Sequence, residues 1–289
     1  MNRRLIITAD DYGMCDAVND AIEECLAAGA VHATCVMINM PAYAAAAALR
    51  QRFPHRSIGI HWNLTQGRPL LPPSQIPSLV NGDDGNFLPA SQLRCRWLLR
   101  RISPAELTAE LRAQYQRFCE VAGEPDFWNT HENVHVLPGL FETCVALGQA
   151  LRIPAMRCHR RLTMPRDTTR RRYNLHHPLY WVKGWIIARW SSQAEARGVM
   201  MPDARLYMPG YEVSLAAIAE AMKHLPWGAV KRAVEMVIHP ATSVQAALFG
   251  GLTESRILEY RTFRDPRVID DLHQMGIKAV GFEVLNRSC

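Results

Sequence analysis

The sequence predicts an α/β fold with a parallel sheet, organised as a single domain over residues 1–289. Three observations predict it. Short apolar runs alternate with longer amphipathic ones along the whole chain, the pattern of repeated βα units. About seven such units follow one another, a number that suits a barrel better than an open sheet. No linker or composition break divides the chain, and no repeat occurs beyond the βα rhythm.

Each element has its own signal. Residues 4–9 form an apolar run that ends abruptly in Asp10-Asp11, a buried strand. A helix at 14–28 follows, with Val18, Ile22, Cys25 and Leu26 on one face and Gly29 as its stop. Residues 34–39 read as the second strand, 41–52 as an Ala-rich helix, 57–64 as the third strand and 66–90 as a long Pro/Gly-rich loop. Ser103-Pro104-Ala105-Glu106 opens a helix that runs to about residue 121, with Ser as cap and Pro in the first turn. A strand end at 127–131, a helix at 139–151 and a strand at 155–158 come next. A basic, irregular insertion is expected at 159–180. It is followed by a helix at 181–197, an extended piece at 204–208 and a helix at 212–224. A clear strand at 233–238 ends in His239-Pro240, and helices at 253–262 and 266–275 precede a last strand at 277–282.

Composition removes several classes. With 48% hydrophobic and 21% charged residues the chain is neither disordered, collagenous nor a coiled coil. A chain of this length buries its core without staples. Eight cysteines occur without a C-x-x-C pair, which argues against a structural zinc site or a thioredoxin-like motif. The N-terminal apolar run is too short for a signal peptide, and no window reaches the roughly 18 apolar residues of a membrane span. A reducing cytoplasm with free thiols is the expected setting. The net charge is +6, and Arg152, Arg157, Arg160, Arg161, Arg166, Arg170, Arg171 and Arg172 crowd one stretch with Asp167 as its single acid. Such a stretch meets phosphate, an anionic membrane or nucleic acid, or is simply a solvated loop; no aromatic-interleaved motif accompanies it, so no nucleic-acid partner is expected.

Reactive groups of α/β folds sit at the carboxyl ends of strands. Four strand ends here carry Asp or His: Asp10 and Asp11, His61, His131 with His135, and His239. Two adjacent Asp at a strand end cannot both point into the core; one can ligate a metal while the other accepts a proton from a water on that metal. The competing reading is a helix cap. A lone His such as His61 in an apolar strand is often a hydrogen-bonded structural residue. His131-Glu132-Asn133-Val134-His135 superficially fits the helical H-E-x-x-H zinc pattern, but the preceding strand-like run and Pro138 leave no room for that helix. Asp with two His and open positions suits a divalent ion, with zinc, nickel, cobalt, manganese and magnesium all open. The P-loop, G-x-S-x-G and G-x-G-x-x-G patterns are missing, which disfavours P-loop hydrolases, serine hydrolases and Rossmann dehydrogenases.

Four segments resemble one family. Thr8-Ala9-Asp10-Asp11-Tyr12-Gly13, Gly59-Ile60-His61-Trp62-Asn63-Leu64-Thr65, Asn129-Thr130-His131-Glu132-Asn133-Val134-His135 and Glu235-Met236-Val237-Ile238-His239-Pro240 resemble, in order, the motifs of YdjC-like carbohydrate deacetylases. That family includes chitooligosaccharide deacetylases and hopanoid-biosynthesis-associated deacetylases. The resemblance spans nearly the whole chain. It implies a distorted, TIM-like (β/α) barrel and a metal-dependent amide hydrolase that removes the N-acetyl group from an N-acetylated amino sugar, free or lipid-linked. It implies one divalent metal ion, zinc or magnesium foremost, held by Asp11, His61 and His131, with Asp10 as general base and His239 as the acid for the leaving amine. His135 and Trp62 are expected at the substrate, and Arg157 at the substrate or in contact with a carboxylate. The chain departs from the family at Asn129, where Asp is usual, at Glu132 and Asn133, and at Trp62, where Leu is common; these changes bear on the sugar subsite.

The segment 176–190 sets Trp181, Trp185 and Ile186 at helical spacing among basic neighbours. It is expected either to touch a membrane surface or a lipid-linked substrate, or to pack in the core or a homodimer. Two other functions stand beside deacetylation. One is a phosphoesterase that uses the Arg-rich stretch for phosphate; the other is a non-catalytic barrel that binds anionic surfaces.

Overall fold

The computed structural model describes residues 3–160, 179–206, 214–249 and 253–285. Six strands form one parallel sheet in the order β4 (Trp128–Thr130), β3 (Ser57–Trp62), β2 (Ala33–Val36), β1 (Arg3–Tyr12), β6 (Val234–Ile238), β5 (Ala204–Leu206). The seventh, β7 (Ile277–Val280), runs parallel to the first residues of β1. Residues 155–158, expected to be a strand, make single bridges instead: Met156 to Trp128 on one side, Ala155 to Met200 on the other. Those bridges continue the sheet from β4 toward β5 and curl it into a distorted TIM-like barrel.

Alternation along the strands separates two apolar regions. Leu5, Ile7 and Ala9 of β1, Ile58, Ile60 and Trp62 of β3, and Val234, Met236 and Ile238 of β6 face the surrounding helices. Ile6, Ala33, Cys35, Phe127, Ala155, Ala233, Val280 and Phe282 fill the interior. The interior is narrow. Phe127 and Phe282 stack with centroids 3.8 Å apart, and a Cβ on Gly59 would fall 2.6 Å from the Phe127 ring. Small residues at 33, 59, 155 and 233 make room for the two rings.

The outer layer follows the expected order, with local changes. Helix α1 (Asp16–Ala28) ends at Gly29, whose φ of 100° closes the last turn as only glycine does readily. The Ala-rich run becomes a 3-10 stretch (Tyr43–Ala48) and a short α2 (Leu49–Arg52), in which the buried residues, Ala46 and Leu49, sit three apart as that tighter helix requires. The loop 66–90 leads to α3 (Ala90–Leu98). In α4 (Pro104–Ala122) the Ser103 hydroxyl accepts from Glu106 N as the sequence predicts, while the Glu106 carboxylate accepts from Ser78 N and Oγ and ties down the preceding loop. Helices α5 (Leu140–Ala150), α6 (Leu179–Ala196), α7 (Leu215–His224), α8 (Ala246–Phe249), α9 (Glu254–Phe263) and α10 (Arg267–Gln274) complete the shell. Of the expected basic insertion, 161–178 lie outside the described residues; Arg160 belongs to the wall, its carbonyl accepting from Arg205 N and its guanidinium meeting Glu195.

Candidate metal centre and acid–base site

Above the aromatic plug the inward positions turn polar. Thr8 and Asp10 follow Ile6 on β1, Cys35 follows Ala33, His61 follows Gly59, Asn129 follows Phe127, Arg157 follows Ala155, and Glu235 follows Ala233. Period-two alternation therefore stacks one buried polar layer on one apolar layer.

Arg157 is the hub of that layer. Its Nη1 donates to Asp10 Oδ2 at 2.6 Å, its Nη2 to Asp10 Oδ1 at 2.7 Å and its Nε to Glu235 Oε1 at 2.9 Å. Thr8 Oγ1 donates to the same Glu235 oxygen at 2.9 Å. Asp10 Oδ1 also receives Cys35 Sγ at 3.1 Å and Asn129 Nδ2 at 3.4 Å. Burial pushes the Asp10 carboxyl up, but the fork of Arg157 outweighs it and holds the group well below the usual carboxylate range. Burial raises Glu235, with Arg157 opposing.

Asp11 escapes the alternation. Strand β1 continues past Ala9 to Tyr12, but its register against β2 shifts between Ala9 and Tyr12, and Asp11 takes a φ of 72°. Asp is among the few residues that tolerate that left-handed geometry. The irregularity brings Asp11 to the site beside Asp10, so both carboxylates are buried there, against the expectation that only one could be.

Asp11 Oδ1 lies 3.3 Å from His61 Nε2 and 3.1 Å from His131 Nδ1, and the two imidazole nitrogens are 3.4 Å apart. The triangle has edges of the size found between neighbouring ligands of one ion at ligand distances of about 2.1 Å. One carboxylate oxygen and two imidazole nitrogens are a donor set for a divalent ion with open positions, so the residues fit such a group. His61 Nδ1 donates to Asn129 Oδ1 at 2.5 Å, which leaves the lone pair on the Nε2 that faces Asp11. Burial pushes Asp11 up, but Arg256 and His131 outweigh it and hold the carboxyl well below its ordinary range; burial opposes protonation of His131, and Asp11 raises its pKa nonetheless. Asp10, Cys35 and His61 make a second cluster of potential ligands, but there Asp10 is occupied by Arg157 and His61 Nδ1 by Asn129.

His239, at the end of β6, is half-buried, 31% exposed, with Nε2 3.9 Å from Asp10 Oδ2. Its backbone N–H donates to Glu259 Oε2 at 2.5 Å. Burial pushes the imidazole down to about 4, against the raising effect of the Asp11 and Asp10 carboxylates.

The structure thus brings together Asp10, Asp11, His61, His131 and His239. It does not bring the three expected substrate residues to an open surface. Trp62 follows His61 and so faces the opposite side of the sheet; it is 0% exposed, its indole N–H donating to the Leu111 carbonyl. Arg157 is buried under Asp10, with its guanidinium on the carboxylates of Asp10 and Glu235. His135 is fully buried, takes the Thr130 hydroxyl on Nδ1 at 2.6 Å and packs 4.7 Å from the His159 ring; burial and then Arg157 push its pKa down to about 3. In α6, Trp190 stacks on Phe141 while Val182 and Trp185 are exposed; no helix of the described residues is long and apolar enough to cross a membrane.

Sequence reading missed Arg256 and Glu259. Both lie on the buried face of α9 with Tyr260 and Phe263, at i, i+3, i+4 and i+7. Charged residues standing on what should be an apolar stripe were the available signal.

Comparison with known proteins agrees with this architecture. A solved structure from Enterococcus faecalis, described as a candidate cellobiose-phosphate cleavage protein, superposes with a TM-score of 0.78 at 24% identity, covering 99% of both chains, and so shares the fold. A chitooligosaccharide deacetylase of Proteus mirabilis is 35% identical over 53% of this chain, and one of Yersinia pestis is 26% identical over 98% of it and 99% of the relative. A carbohydrate deacetylase of Danio rerio is 35% identical over 48% of the chain. The chain spans 58% of the Proteus relative's length and 44% of the zebrafish relative's. The family described as YdjC-like protein matches residues 4–274, and the chain belongs to it.

Proposed function

We propose that the protein is a divalent-metal-dependent hydrolase that removes the acetyl group from an N-acetylated amino sugar of the N-acetylglucosamine type. The observation that carries the reading is the convergence of Asp11, His61 and His131, with donor atoms 3.1–3.4 Å apart, directly beside a buried Asp10–Arg157 pair and the half-exposed His239. The relatives named as chitooligosaccharide and carbohydrate deacetylases support the substrate class.

Asp11, His61 and His131 would hold the ion, which when bound acidifies a water and polarises the acyl carbonyl. The protein's own groups then divide the proton work. Asp10, kept ionised and fixed in direction by Arg157, accepts the proton of the attacking water. Burial favours the neutral imidazole of His239 as the reaction begins. It must therefore be charged within the reaction, and Asp10, 3.9 Å away, is the neighbouring source of that proton. The imidazolium then gives the proton to the departing amine. Of the arginines on which a phosphoesterase would draw, Arg157 is committed to Asp10 and Glu235 and Arg160 to Glu195.

The test is acetate release from a panel of N-acetylglucosamine oligomers and N-acetylglucosaminyl lipids, with and without EDTA. Acetate that vanishes with EDTA and returns with added metal supports the reading, and the responding member fixes the substrate. Metal bound but no acetate from any member refutes it, as does activity indifferent to EDTA.

A further inference from the structure

Helix α9 sends one cation into the site that the acid–base pair does not use. Arg256 is 3% exposed and its Nη2 donates to Asp11 Oδ2 at 2.7 Å. Its Cζ lies 4.5 Å from the centroid of the Phe249 ring. Its Nε and Nη1 are sealed from solvent without a hydrogen-bond partner. A buried guanidinium with two unsatisfied nitrogens is costly, and a cation in contact with a metal-ligand carboxylate opposes binding of a second cation. Its ion pair with Asp11 offsets part of that desolvation, but charge balance alone explains neither the two unsatisfied nitrogens nor a cation set against the metal.

The geometry of Asp11 supplies an explanation. Oδ1 faces His61 Nε2 and His131 Nδ1, while Oδ2 is taken by Arg256. We propose that Arg256 is a positioning residue that confines Asp11 to one-oxygen ligation through Oδ1, trading metal affinity for a coordination position that the substrate carbonyl can use. The inference rests on the metal-dependent reading above. Without Arg256 the carboxylate is able to turn and chelate through both oxygens, and a repelling charge is gone. The ion is then held more tightly and catalysis suffers.

Metal affinity and cobalt spectra of the full chain test this. Zinc dissociation constants come from competition with a chromophoric chelator, and Co(II) visible spectra report coordination number, since d–d bands weaken as ligands are added. R256M is expected to bind zinc about tenfold or more tightly than wild type, with a weaker cobalt band and a lower kcat. R256K, which keeps the charge and an N–H donor for Asp11 Oδ2, is expected to restore the wild-type spectrum. R256M with unchanged or weaker affinity and an unaltered spectrum overturns the proposal while leaving the metal site standing. Wild type that binds neither ion overturns the metal-dependent reading itself, and this inference with it. If R256M does not fold, R256Q carries the same comparison: its shorter amide drops the charge and the fork, and tighter zinc with a weaker band is again the supporting result.

Discussion

Replacing Arg157 by Met removes the cation shared by two buried carboxylates. Three charge-assisted bonds are lost, at 2.6, 2.7 and 2.9 Å. At about 1.5–3 kcal/mol each the bonds sum to roughly 5–9 kcal/mol. The orphaned carboxyls relieve part of this by taking up protons, so the cost expected at neutral pH is that of breaking a buried pair, about 3–5 kcal/mol. An unfolding entropy of about 2.1 cal/mol/K per residue gives roughly 0.6 kcal/mol/K for 289 residues, so Tm should fall by about 5–8 °C. The pH dependence has a definite sign. In the wild type Asp10 is held below its ordinary range, so its contribution is present above about pH 4 and is lost as pH falls. In R157M burial acts on Asp10 and Glu235 with no cation between them, both folded-state pKa values rise above their unfolded ones, and stability falls as pH rises. The gap between variant and wild type should therefore widen from about pH 5 to pH 8. E235Q in the R157M background should recover part of the loss. Thermal melts at three pH values decide it, and R157M melting within about 1 °C of wild type at pH 8 would refute the reasoning.

Other outcomes follow from the same geometry. D10N should lose about 10²–10⁴ in kcat yet retain the metal, whereas D11N should lose metal as well; rate and metal content measured on the same samples separate the two, and a D10N enzyme of wild-type rate would exclude Asp10 as the base. Burial pushes Glu259 up to about 7, so the folded protein binds more protons than the unfolded chain between about pH 4.5 and pH 7 and loses stability across that window as pH rises, by about 3 kcal/mol at most. E259Q, which keeps an oxygen for His239 N–H, should flatten that slope; urea titrations of the metal-free protein at both ends of the window measure it, and an unchanged slope excludes Glu259 as its origin. G59A puts a Cβ 2.6 Å from the Phe127 ring in the packed interior and should cost about 1–3 kcal/mol, with F127L recovering much of it; additive losses in that double variant would show that the ring is not what Gly59 accommodates.

The fold was legible because each strand carried its own punctuation. The run at 4–9 stopped in Asp-Asp, and that at 233–238 in His-Pro, so both the α/β rhythm and the rim bearing the reactive groups could be read. The five residues that meet at the site were each visible as a polar residue at a strand end. Three things were hidden. The left-handed turn at Asp11 is a single-residue event that no periodicity announces, yet it lets two adjacent carboxylates share the site. The alternation that turns Trp62 away from the face of His61 is masked by its place inside a site motif. Arg256 and Glu259 come from a helix far along the chain, and only tertiary packing tells a buried charge on an apolar stripe from a solvated one. The departure at Asn129 also gains a physical sense. Its amide gives Oδ1 to His61 and Nδ2 to Asp10, a double service that a carboxylate at this position could not perform.

The place of β1 in the sheet carries a consequence for the order of events during synthesis. The strand that bears both aspartates is made before the other strands of the sheet, but the cations that pair with them come later: Asp10 meets Arg157 across 147 residues, and Asp11 meets Arg256 across 245. Contacts so distant in sequence form slowly, and until the last of them forms Asp11 lacks its cation even where Arg157 has already met Asp10. Helices and local hairpin-free βα units can settle while the chain is still growing. Catalytic competence cannot; it should appear only after α9 has docked, as one of the last steps in the maturation of the molecule.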